Sequence, residues 1–447
     1  MSASWRSLPA HRGRFLTGSL AAFRAAPHRF PADLAEAHGG LARFRILHRP
    51  FVAVTHPEAI QHILNQPDVW VRGPQYRNMQ PAIGRGLLST DGPDWRHRRS
   101  LLNPLFRSER LRQVIDITQA CLRSQLDDWE QTHPRGGTIG LCGMMRTLTI
   151  TVMARTLLSH DLSRYQIERL SDLVHTGTMR VRQRNISIWN PPLWVPVRRN
   201  RDLLAGGRFL HDLLAAEIRR ARQGDPPPNN LLATLLSLDD PATGQPLPDE
   251  ALIDELRNLL VAGFETTSAA LAWTVWRLAR HPGIARVWQA EIDSLPPGQP
   301  LTLDSLKRLP VTESILTESL RLHPPVYNMA RVTREDQVLC GQHIPRGTTA
   351  MISIYGLHRS ARLWTDPLSF RPDRFAAAGP PPQNWIPFGA GPHLCIGMAF
   401  ALLEMKSALS VLGQRFHLRL ADDRDVPERA EISLSPATEI LLHLEPR

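Results

Sequence analysis

The amino-acid sequence predicts a single, mainly α-helical domain that carries small β-sheets. Apolar residues recur at helical spacing over most of the chain, whereas strand-like alternation of apolar and polar residues is confined to short stretches. Proline-rich breaks at 226–228, 296–297 and 380–382 separate the helical stretches, but none is long enough to act as a flexible linker. We therefore expect residues 1–447 to form one domain, with residues 1–38 as a lead-in.

Length, charge and cysteine content narrow the class of protein. The 447 residues carry a formal net charge of +11, but basic and acidic residues are interleaved and no nucleic-acid recognition motif accompanies them. The four cysteines lack the paired spacing of a metal site and fit a reducing compartment. The apolar run at 15–23 is interrupted and far shorter than the roughly 20 residues that span a bilayer. We expect a soluble, cytoplasmic protein without a membrane anchor or stable membrane insertion.

The first quarter of the chain predicts a hairpin, a short helix and a pocket wall. Residues 39–55 alternate around a turn at 48–50, as in an antiparallel hairpin, and residues 57–64 follow as a short helix. The stretch 76–88 combines apolar side chains with two helix-weakening glycines, which is typical of a loop that either covers the core or lines a ligand pocket. The candidate pocket residues in it are Tyr76, Met79, Ile83, Leu87 and Leu88.

A helix start at residues 91–94 places Trp95 and Arg99, four residues apart, on one helix face. Taken alone, this pair indicates cation–π packing at a surface. Basic side chains cluster in the same region and form a candidate face for an acidic partner: Arg96, Arg98, Arg107, Arg110 and Arg112.

The chain from about 111 to 220 is predicted to be helical, with breaks at 134–137 and 190–192. The second break is unusual because large apolar residues surround it: Ile188, Trp189, Leu193, Trp194 and Val195. Three interpretations stay open at this point: a lid over a lipophilic entrance, contact with a membrane surface, and packing on neighbouring helices.

The longest predicted helix follows Pro248 and ends at Arg280, because a His-Pro pair comes next. At roughly 45–50 Å it crosses the whole molecule, and its apolar middle indicates burial at the centre. The segment 262–267 (AGFETT) interrupts this pattern. Glycine in a helix costs about 1 kcal/mol, and an unpaired buried carboxylate costs several.

Two interpretations explain this segment. A local kink, with the Thr266 hydroxyl bonded to the Ala262 carbonyl, explains it structurally. The functional explanation is that a ligand lies against the small residues Ala262 and Gly263, beside a proton donor at Glu265 and a hydroxyl at Thr266.

Three further stretches carry candidate site residues. Glu318 and Arg321 stand three apart in a predicted helix, which alone indicates a solvated ion pair worth under about 1 kcal/mol. The chain then leaves this helix as a strand at 326–331, whose pocket candidates are Val326, Tyr327 and Met329. The third stretch, 370–375 (FRPDRF), adds Arg374.

The stretch 388–397 (FGAGPHLCIG) places Cys395 between glycines and directly before an apolar helical pattern. Unpaired N–H groups at a helix start stabilise a thiolate, so Cys395 is a good anionic ligand. Gly389, Gly391 and Gly397 let the backbone lie flat against a planar cofactor. A buried structural cysteine in a loop is the simpler alternative.

Together these motifs resemble the cytochrome P450 family, in the order in which that family has them, from about residue 39 onward. The resemblance implies the family's triangular-prism fold, with haem b between the long central helix and the helix after Cys395. It implies that Cys395 is the axial thiolate on the iron, shielded by Phe388. The further residues that it places against haem are Trp95, Arg99, Ala262, Gly263, Arg331, Gly389, His393 and Gly397.

The same resemblance assigns the other motifs. Glu265 and Thr266 would relay protons for O₂ activation, and Glu318, Arg321 and Arg374 would form a structural network. The implied protein is a monooxygenase that inserts one oxygen atom from O₂ into a lipophilic small molecule such as a fatty acid, terpenoid or other biosynthetic intermediate. No part of the chain resembles a reductase, so electrons are expected from a ferredoxin, docked near Arg96 and Arg98, and its ferredoxin reductase.

Three alternatives remain at this stage. A peroxide-driven peroxygenase or an isomerase on the same fold needs no O₂ activation. A haem-binding sensor or carrier would keep Cys395 but would not use the acid–alcohol pair. Nucleic-acid binding is the least supported. The sequence does not identify the substrate.

Overall fold

Helices form most of the molecule, as the sequence predicts. The computed structural model describes residues 4–106, 108–158, 162–224, 231–240, 243–296, 299–377 and 379–447, with the side chains of 108–110 left aside. Some predicted features lie outside these residues: the break at 226–228, Pro297, and, in the basic cluster, Arg107 and the side chain of Arg110.

The helices of the described residues are α1 (Leu20–Ala25), α2 (Arg29–Glu36), α3 (Pro57–Leu64), α4 (Pro74–Arg77), α5 (Gln80–Ile83), α6 (Gly92–Leu102), α7 (Ser108–Thr132), α8 (Leu141–Leu157), α9 (Arg164–Ile186), α10 (Arg198–Gln223), α11 (Leu231–Leu236), α12 (Asp249–Arg280), α13 (Pro282–Asp293), α14 (Leu303–Lys307), α15 (Pro310–Leu322), α16 (Ile354–Leu357) and α17 (Met398–Arg415). The strands are β1 (Leu41–Ile46), β2 (Arg49–Val54), β3 (Trp70–Arg72), β4 (Gly137–Gly140), β5 (Asn328–Thr333), β6 (Gln337–Leu339), β7 (Gln342–Ile344), β8 (Thr349–Ser353), β9 (Phe416–Leu420), β10 (Glu428–Ala430), β11 (Leu434–Pro436) and β12 (Leu441–Pro446).

The strands form one larger sheet and three small ones. The larger sheet has the order β1-β2-β8-β5-β3, and the small ones are β10-β11, β4-β12-β9 and β6-β7. The predicted hairpin is the pair β1–β2, which is antiparallel with Ile46 opposite Arg49. β2 runs parallel to β8, and β5 is antiparallel to both β8 and β3. The hairpin is therefore confirmed. It forms one edge of the larger sheet, whose other strands include β5 and β8 from much later in the chain.

One predicted segment differs from the structure. The stretch 76–88 is not one uninterrupted loop, because α4 and α5 occupy its first half, each with proline in its first turn. Within the predicted lead-in 1–38, Ala35 of α2 is buried with Phe44 and Ala53 of the larger sheet. The short helix 57–64 and the end of the long helix at Arg280 are confirmed.

The predicted central helix is α12, which has 32 residues and is buried along most of its length. Helix α8 packs against it so closely that a Cβ on Gly263 would lie 2.6 Å from the Met153 sulfur. Gly263 therefore makes room for α8, and its assignment to cofactor contact stays a prediction. Within the described ranges, no helix combines the length and apolar character needed to cross a membrane.

A fully buried ion pair fixes the end of α15. Arg321 donates to Glu318 through Nε and Nη2, at 2.7 and 2.8 Å, and both side chains are inaccessible to solvent. Arg374 Nε lies 3.3 Å from the same carboxylate. The pair is thus not the solvated one that its spacing alone indicates, because the segment around Arg374 folds over it.

This ion pair also positions the chain that leads to Cys395. Arg321 Nη1 donates to the His358 carbonyl oxygen at 2.6 Å, and the His358 ring accepts from the Ile386 N–H at 2.9 Å. The Trp385 indole donates to the Thr317 carbonyl of α15 at 3.0 Å. The segment just before the cysteine loop is therefore bonded to α15 and its network.

We predict that Glu318→Gln lowers the free energy of unfolding by about 3–5 kcal/mol, because it leaves the Arg321 charge buried without its partner. Urea unfolding followed by circular dichroism measures this change. The matched control is Asp304→Asn, which removes an exposed ion pair of the same spacing with Lys307 and should change stability by under about 1 kcal/mol. Equal effects of the two substitutions on the free energy of unfolding would show that the buried network stabilises the fold no more than an exposed ion pair does.

Candidate functional site

The loop that carries Cys395 is held by its own backbone and by α3. The Cys395 N–H donates to the Phe388 carbonyl oxygen at 3.0 Å, which closes the loop before α17. Gly391 has a φ of 67°, and a Cβ there would lie 2.5 Å from the Leu64 carbonyl oxygen. Glycine is required at this contact.

The other two glycines of the loop differ from each other. Gly389 has a φ of 76°, so its left-handed conformation favours glycine. Gly397 is the N-cap of α17 with a φ of −89°, which other residues also adopt. Glycine is therefore needed for the backbone conformation at the start of the loop, at Gly389 and Gly391, but not at its end, at Gly397.

The Cys395 thiol is subject to opposing effects. Burial raises its pKa and is the largest effect, whereas the Gly397 N–H and the Arg99 guanidinium lower it. The sequence predicts local stabilisation of the thiolate, and both groups act in that direction without overcoming burial. A metal ion on the sulfur supplies the further positive charge that keeps a thiol deprotonated.

A cluster of cationic side chains lies beside this loop. Arg72 of β3 and Arg331 of β5 are directly opposite each other in the sheet. Burial lowers the pKa of Arg72 to about 10, and the charges of Arg331 and Arg99 contribute to this shift. Like charges on opposite strands destabilise a sheet. The pair therefore indicates a site for an anion.

Asp91 and His393 complete this cluster. The Arg72 N–H donates to Asp91 at 2.5 Å, and His393 Nε2 lies 3.5 Å from the other Asp91 oxygen. Burial raises the pKa of Asp91, but the hydrogen bonds from His393 and from the N–H groups of Arg72 and Gly92 outweigh it and lower the pKa to about 2. One carboxylate thus faces several cations.

Trp95 and Arg99 support the same region from α6. The Trp95 ring lies against His393 with 4.0 Å between ring centroids. Arg99 Nη1 donates to the Leu394 carbonyl oxygen at 2.8 Å, next to Cys395 in the chain. The structure thus brings both residues of this motif to the cysteine loop.

These residues fit haem by their chemistry. The group carries two carboxylates, and the cations at Arg99 and Arg331 match them. Arg72 adds positive charge beside them, although its Nη1 already donates to three backbone carbonyl oxygens. Its iron takes a thiolate ligand, and the Cys395 thiol is solvent-accessible, so it is open to such a bond. Ala262 is solvent-accessible although α12 is buried on both sides of it, so a ligand can reach the helix there.

The Glu265 carboxylate points away from its neighbour Thr266. It accepts a hydrogen bond of 2.9 Å from Ser433, in the turn between β10 and β11. Burial raises its pKa to about 7, and the charge of Glu431 contributes in the same direction. It borders a polar cavity of about 170 Å³ that Arg146 and Glu431 also line. Glu265 therefore exchanges a proton near neutral pH.

The Thr266 hydroxyl donates to the Ala262 carbonyl oxygen at 2.8 Å. This is the local bond that the sequence allows as a structural explanation of the segment. The acid and the hydroxyl are thus adjacent in the chain but bonded to different partners. A proton passing between them needs a bridging water or a rotation of one side chain.

The predicted pocket residues separate into two groups. Ile83 and Leu87 are buried in the main core with α12, and the Leu87 N–H donates to Glu255 of that helix at 2.9 Å. Met79 and Leu88 pack at the margin of this core. The Met329 sulfur would lie 3.7 Å from a Cβ on Gly389, which places it beside the cysteine loop.

Two tyrosines lie elsewhere than predicted. The Tyr76 hydroxyl is 3.3 Å from Arg331 Nη1, so Tyr76 belongs to the cationic cluster rather than to an apolar pocket wall. The Tyr327 hydroxyl donates to the Glu431 carbonyl oxygen at 2.6 Å. Its ring packs in a separate core cluster with Tyr355, whereas the adjacent Val326 is exposed.

The predicted basic face is only partly exposed in the structure. Arg98 donates to Glu255 at 2.6 Å and to Asp94 at 2.9 Å, and its side chain is mostly buried. Arg98 is therefore an internal ion-pair partner and not part of a docking face. Arg96 is half exposed and paired with Asp68, and Arg112 is exposed.

Sequence reasoning missed Arg72, Asp91 and Ser433. Arg72 carries a signal in hindsight, because it ends a short apolar strand and pairs across the sheet with Arg331. Ser433 carries none, since its contact with Glu265 joins residues 168 positions apart.

Nearly the whole chain matches known proteins. The family model described as Cytochrome P450 matches residues 9–443. Cyclooctatin synthase of Streptomyces melanosporofaciens is 30% identical over 438 residues, which cover 96% of this chain and 94% of that protein. Cyclooctat-9-en-7-ol 5-monooxygenase of the same organism is 30% identical, with 90% and 88% covered. The crystal structure of the cytochrome P450DA heme domain has a TM-score of 0.86 at 26% identity and covers 100% of this chain and 98% of its own. The predicted fold is thereby confirmed.

We predict that Glu265 makes the protein less stable as pH rises from about 4.5 to 7. Its pKa is 4.5 ordinarily and about 7 in the fold, so the folded state holds a proton that the unfolded state releases in this interval. Stability from the neutral acid is complete below 4.5 and lost as pH passes 7, on the order of 3 kcal/mol. Urea unfolding at several pH values should show a flatter profile for Glu265→Gln. Glu168→Gln, at an exposed position, should leave the profile unchanged. A Glu265→Gln profile parallel to that of the wild type would contradict the assignment.

Proposed function

Because the chain belongs to the cytochrome P450 family of haem-dependent oxidoreductases, we propose that it is a monooxygenase that inserts one oxygen atom of O₂ into a terpenoid-like substrate. The observation that carries the proposal is the half-buried acid on α12, Glu265, followed directly by the Thr266 hydroxyl. Cleavage of the O–O bond consumes protons, and a proton-exchanging carboxyl group in a buried helix supplies them.

Cys395 and the cationic cluster would hold haem b. Cys395 would bind the iron, and Arg72, Arg99, Arg331 and His393 would hold the two carboxylates. Bound haem with a thiolate ligand supplies the electron density that favours O–O cleavage. The network of Glu318, Arg321 and Arg374 keeps the loop in register below the site.

Glu265 and Thr266 would deliver protons. With a pKa of about 7, Glu265 takes up and releases a proton at neutral pH. Ser433 stabilises the ionised form by donating to it. The Thr266 hydroxyl uses its hydrogen in the bond to Ala262 and keeps its lone pairs for accepting a hydrogen bond from a water that carries the proton.

The substrate class rests on relatives and on apolar side chains. One relative is named as a monooxygenase of cyclooctat-9-en-7-ol, a hydrocarbon alcohol by its name. In this chain, Met329 lies beside the cysteine loop, and Met79 and Leu88 are partly buried at the margin of the core that contains α12. A lipophilic substrate with few polar groups fits a site lined by such apolar side chains.

Electrons would come from a separate ferredoxin and its reductase. An acidic ferredoxin needs exposed cations near the cysteine loop. Of the predicted basic cluster, Arg96 and Arg112 are exposed in the structure, and Arg98 is not available. We place the docking surface at Arg96 and Arg112.

We predict that Arg331→Gln speeds the loss of haem about tenfold, because a charge-assisted hydrogen bond to a carboxylate is worth about 1.5–3 kcal/mol. Transfer of haem to apomyoglobin measures the rate. The matched control is Arg334→Gln, an exposed arginine three residues along the chain, which should leave the rate unchanged. Arg331→Lys keeps the charge and should lie between the two. Loss rates equal to the wild type would remove Arg331 from the haem site.

We predict that Thr266→Ala reduces product per electron consumed by about tenfold, since general acid catalysis contributes that much or more. NADH consumption and product are measured together, with ferredoxin and reductase supplied. The control is Thr267→Ala, whose hydroxyl bonds to Gly263 in the same manner but is buried. Unchanged coupling in Thr266→Ala would contradict the relay. Product with hydrogen peroxide but never with reduced ferredoxin would support the peroxygenase instead, and no turnover with either would support a sensor.

A further inference from the structure

A histidine, a glutamate and a cysteine from two distant segments meet at one place on the surface. They are His56, the N-cap of α3, Glu58 in the first turn of that helix, and Cys340 in the turn between β6 and β7. Their ligand atoms all lie within 4.8 Å of one another. Among the described residues, this is the one group of three histidine, cysteine or acidic side chains with ligand atoms so close. We call it the His–Glu–Cys site.

The turn that carries Cys340 has a conformation that cysteine rarely adopts. Leu339 and Gln342 are paired in the β6–β7 hairpin, so Cys340 and Gly341 are its two turn residues. Their φ values are 49° and 77°, both positive, as a type I′ turn requires. Such turns favour asparagine, aspartate or glycine at both positions. The conformation of the turn therefore does not explain why a cysteine stands at its first position.

Packing holds the hairpin against α3 independently of the three side chains. The two elements share a core cluster of buried side chains: Leu339, Ile344, Ile60 and Ile63. The His62 ring of α3 is bonded to the Gln337 side chain of β6 at 3.0 Å. The Cys340 sulfur is thus brought to the first turn of α3 by the fold itself, so a ligand that uses it meets a preformed site.

His56 is also held in place. Its N–H and that of Thr55 donate to the Gly40 carbonyl oxygen, at 3.3 and 2.9 Å. Gly40 has a φ of 102°, and a Cβ there would lie 2.9 Å from the His56 Cβ. With its backbone fixed on this side, His56 directs Nδ1 to within 3.4 Å of the Cys340 sulfur.

This distance fits two ligands of one metal ion. Zinc bonds nitrogen at about 2.0 Å and sulfur at about 2.3 Å, so a tetrahedral angle between them separates the two ligand atoms by about 3.5 Å. A hydrogen bond between thiol and imidazole has a similar length but needs no third group. Glu58 supplies a third ligand, because its carboxylate reaches both atoms. The three groups together match a metal site better than a hydrogen bond.

Charge and exposure favour a cation at the same point. Burial and the Glu58 carboxylate raise the pKa of the Cys340 thiol, and the Ala59 N–H in the first turn of α3 lowers it. A dication on the sulfur replaces the thiol proton and neutralises the carboxylate. Glu58 and Cys340 are exposed and His56 is half-buried, so an ion can enter from solvent and a water can complete its coordination.

We propose that the His–Glu–Cys site binds a zinc ion through His56 Nδ1, a Glu58 carboxylate oxygen and the Cys340 sulfur, with a water as the fourth ligand. Zinc accepts nitrogen, sulfur and oxygen ligands in tetrahedral geometry, whereas magnesium and calcium disfavour sulfur. Binding forms the Zn–S bond and releases the thiol proton to solvent. The ion would join the β6–β7 hairpin to α3, whose last residue, Leu64, contacts Gly391 of the cysteine loop.

The test is the zinc content of the full-length holoprotein after dialysis against buffered zinc, with a phosphine reductant that keeps the thiols reduced. We expect the wild type to retain about one zinc ion per chain more than Cys340→Ser or His56→Ala retains. Comparison with these variants cancels zinc that other side chains bind. The matched control is Cys142→Ser, which removes a cysteine that also lies beside a carboxylate, that of Glu439, and should retain as much zinc as the wild type.

X-ray absorption at the zinc edge identifies the ligands. We expect one sulfur at about 2.3 Å and nitrogen or oxygen at about 2.0–2.2 Å. Equal zinc retention by the wild type and Cys340→Ser, or a spectrum without sulfur, would show adventitious zinc only and overturn the proposal. Zinc-free wild type would reduce the cluster to a hydrogen bond between Cys340 and His56. Far-UV circular dichroism checks that each variant is folded. Neither measurement needs turnover, so the outcome is independent of the monooxygenase proposal.

Discussion

Two buried arginines on opposite strands impose a constraint that organises one whole side of the molecule. Arg72 and Arg331 face each other across the β3–β5 pair. Asp91 and Tyr76 offset part of their repulsion, and Arg72 Nη1 also donates to the backbone carbonyl oxygens of residues 87, 88 and 90. Asp91 in turn lies 3.5 Å from His393, whose ring packs at a tilt against Trp95 of α6. Sheet, helix and cysteine loop are therefore held around one excess of positive charge. An anionic group that binds the folded state here would stabilise it by mass action.

The other side of the site depends on burial rather than on charge. α12 is long and apolar, and the protein gains most from it by excluding water along its length. Glu265 is an exception because it is a polar residue within this apolar helix. Its desolvation raises its pKa into the neutral range. A helix that keeps water out and a carboxyl group that keeps its proton are two results of the same desolvation. The polar cavity behind Glu265 connects it to Glu431 and Arg146 without opening the apolar face.

The parts that could be predicted are those encoded locally. Helix α12, the hairpin β1–β2 and the cysteine loop are each specified by periodicity or by glycines within a short stretch. Contacts between distant segments could not be predicted this way. The placement of Ser433 beside Glu265, of Arg72 opposite Arg331, and of Arg98 inside rather than outside depends on tertiary packing that no local pattern encodes. Tyr76 shows the same limit, since its apolar ring favours a pocket wall while its hydroxyl lies beside Arg331.

The close fit of α8 against α12 has a cost for an enzyme that handles O₂. The absence of a side chain at Gly263 leaves the space that the Met153 thioether occupies, since a Cβ there would lie 2.6 Å from its sulfur. Conversion of this sulfur to a sulfoxide adds an oxygen atom and a strong dipole at a dry contact. Helix α12 would then have to move away from α8 and carry Thr266 with it. One oxidising molecule that escapes from the site could thus inactivate the protein by reacting with Met153, away from the substrate.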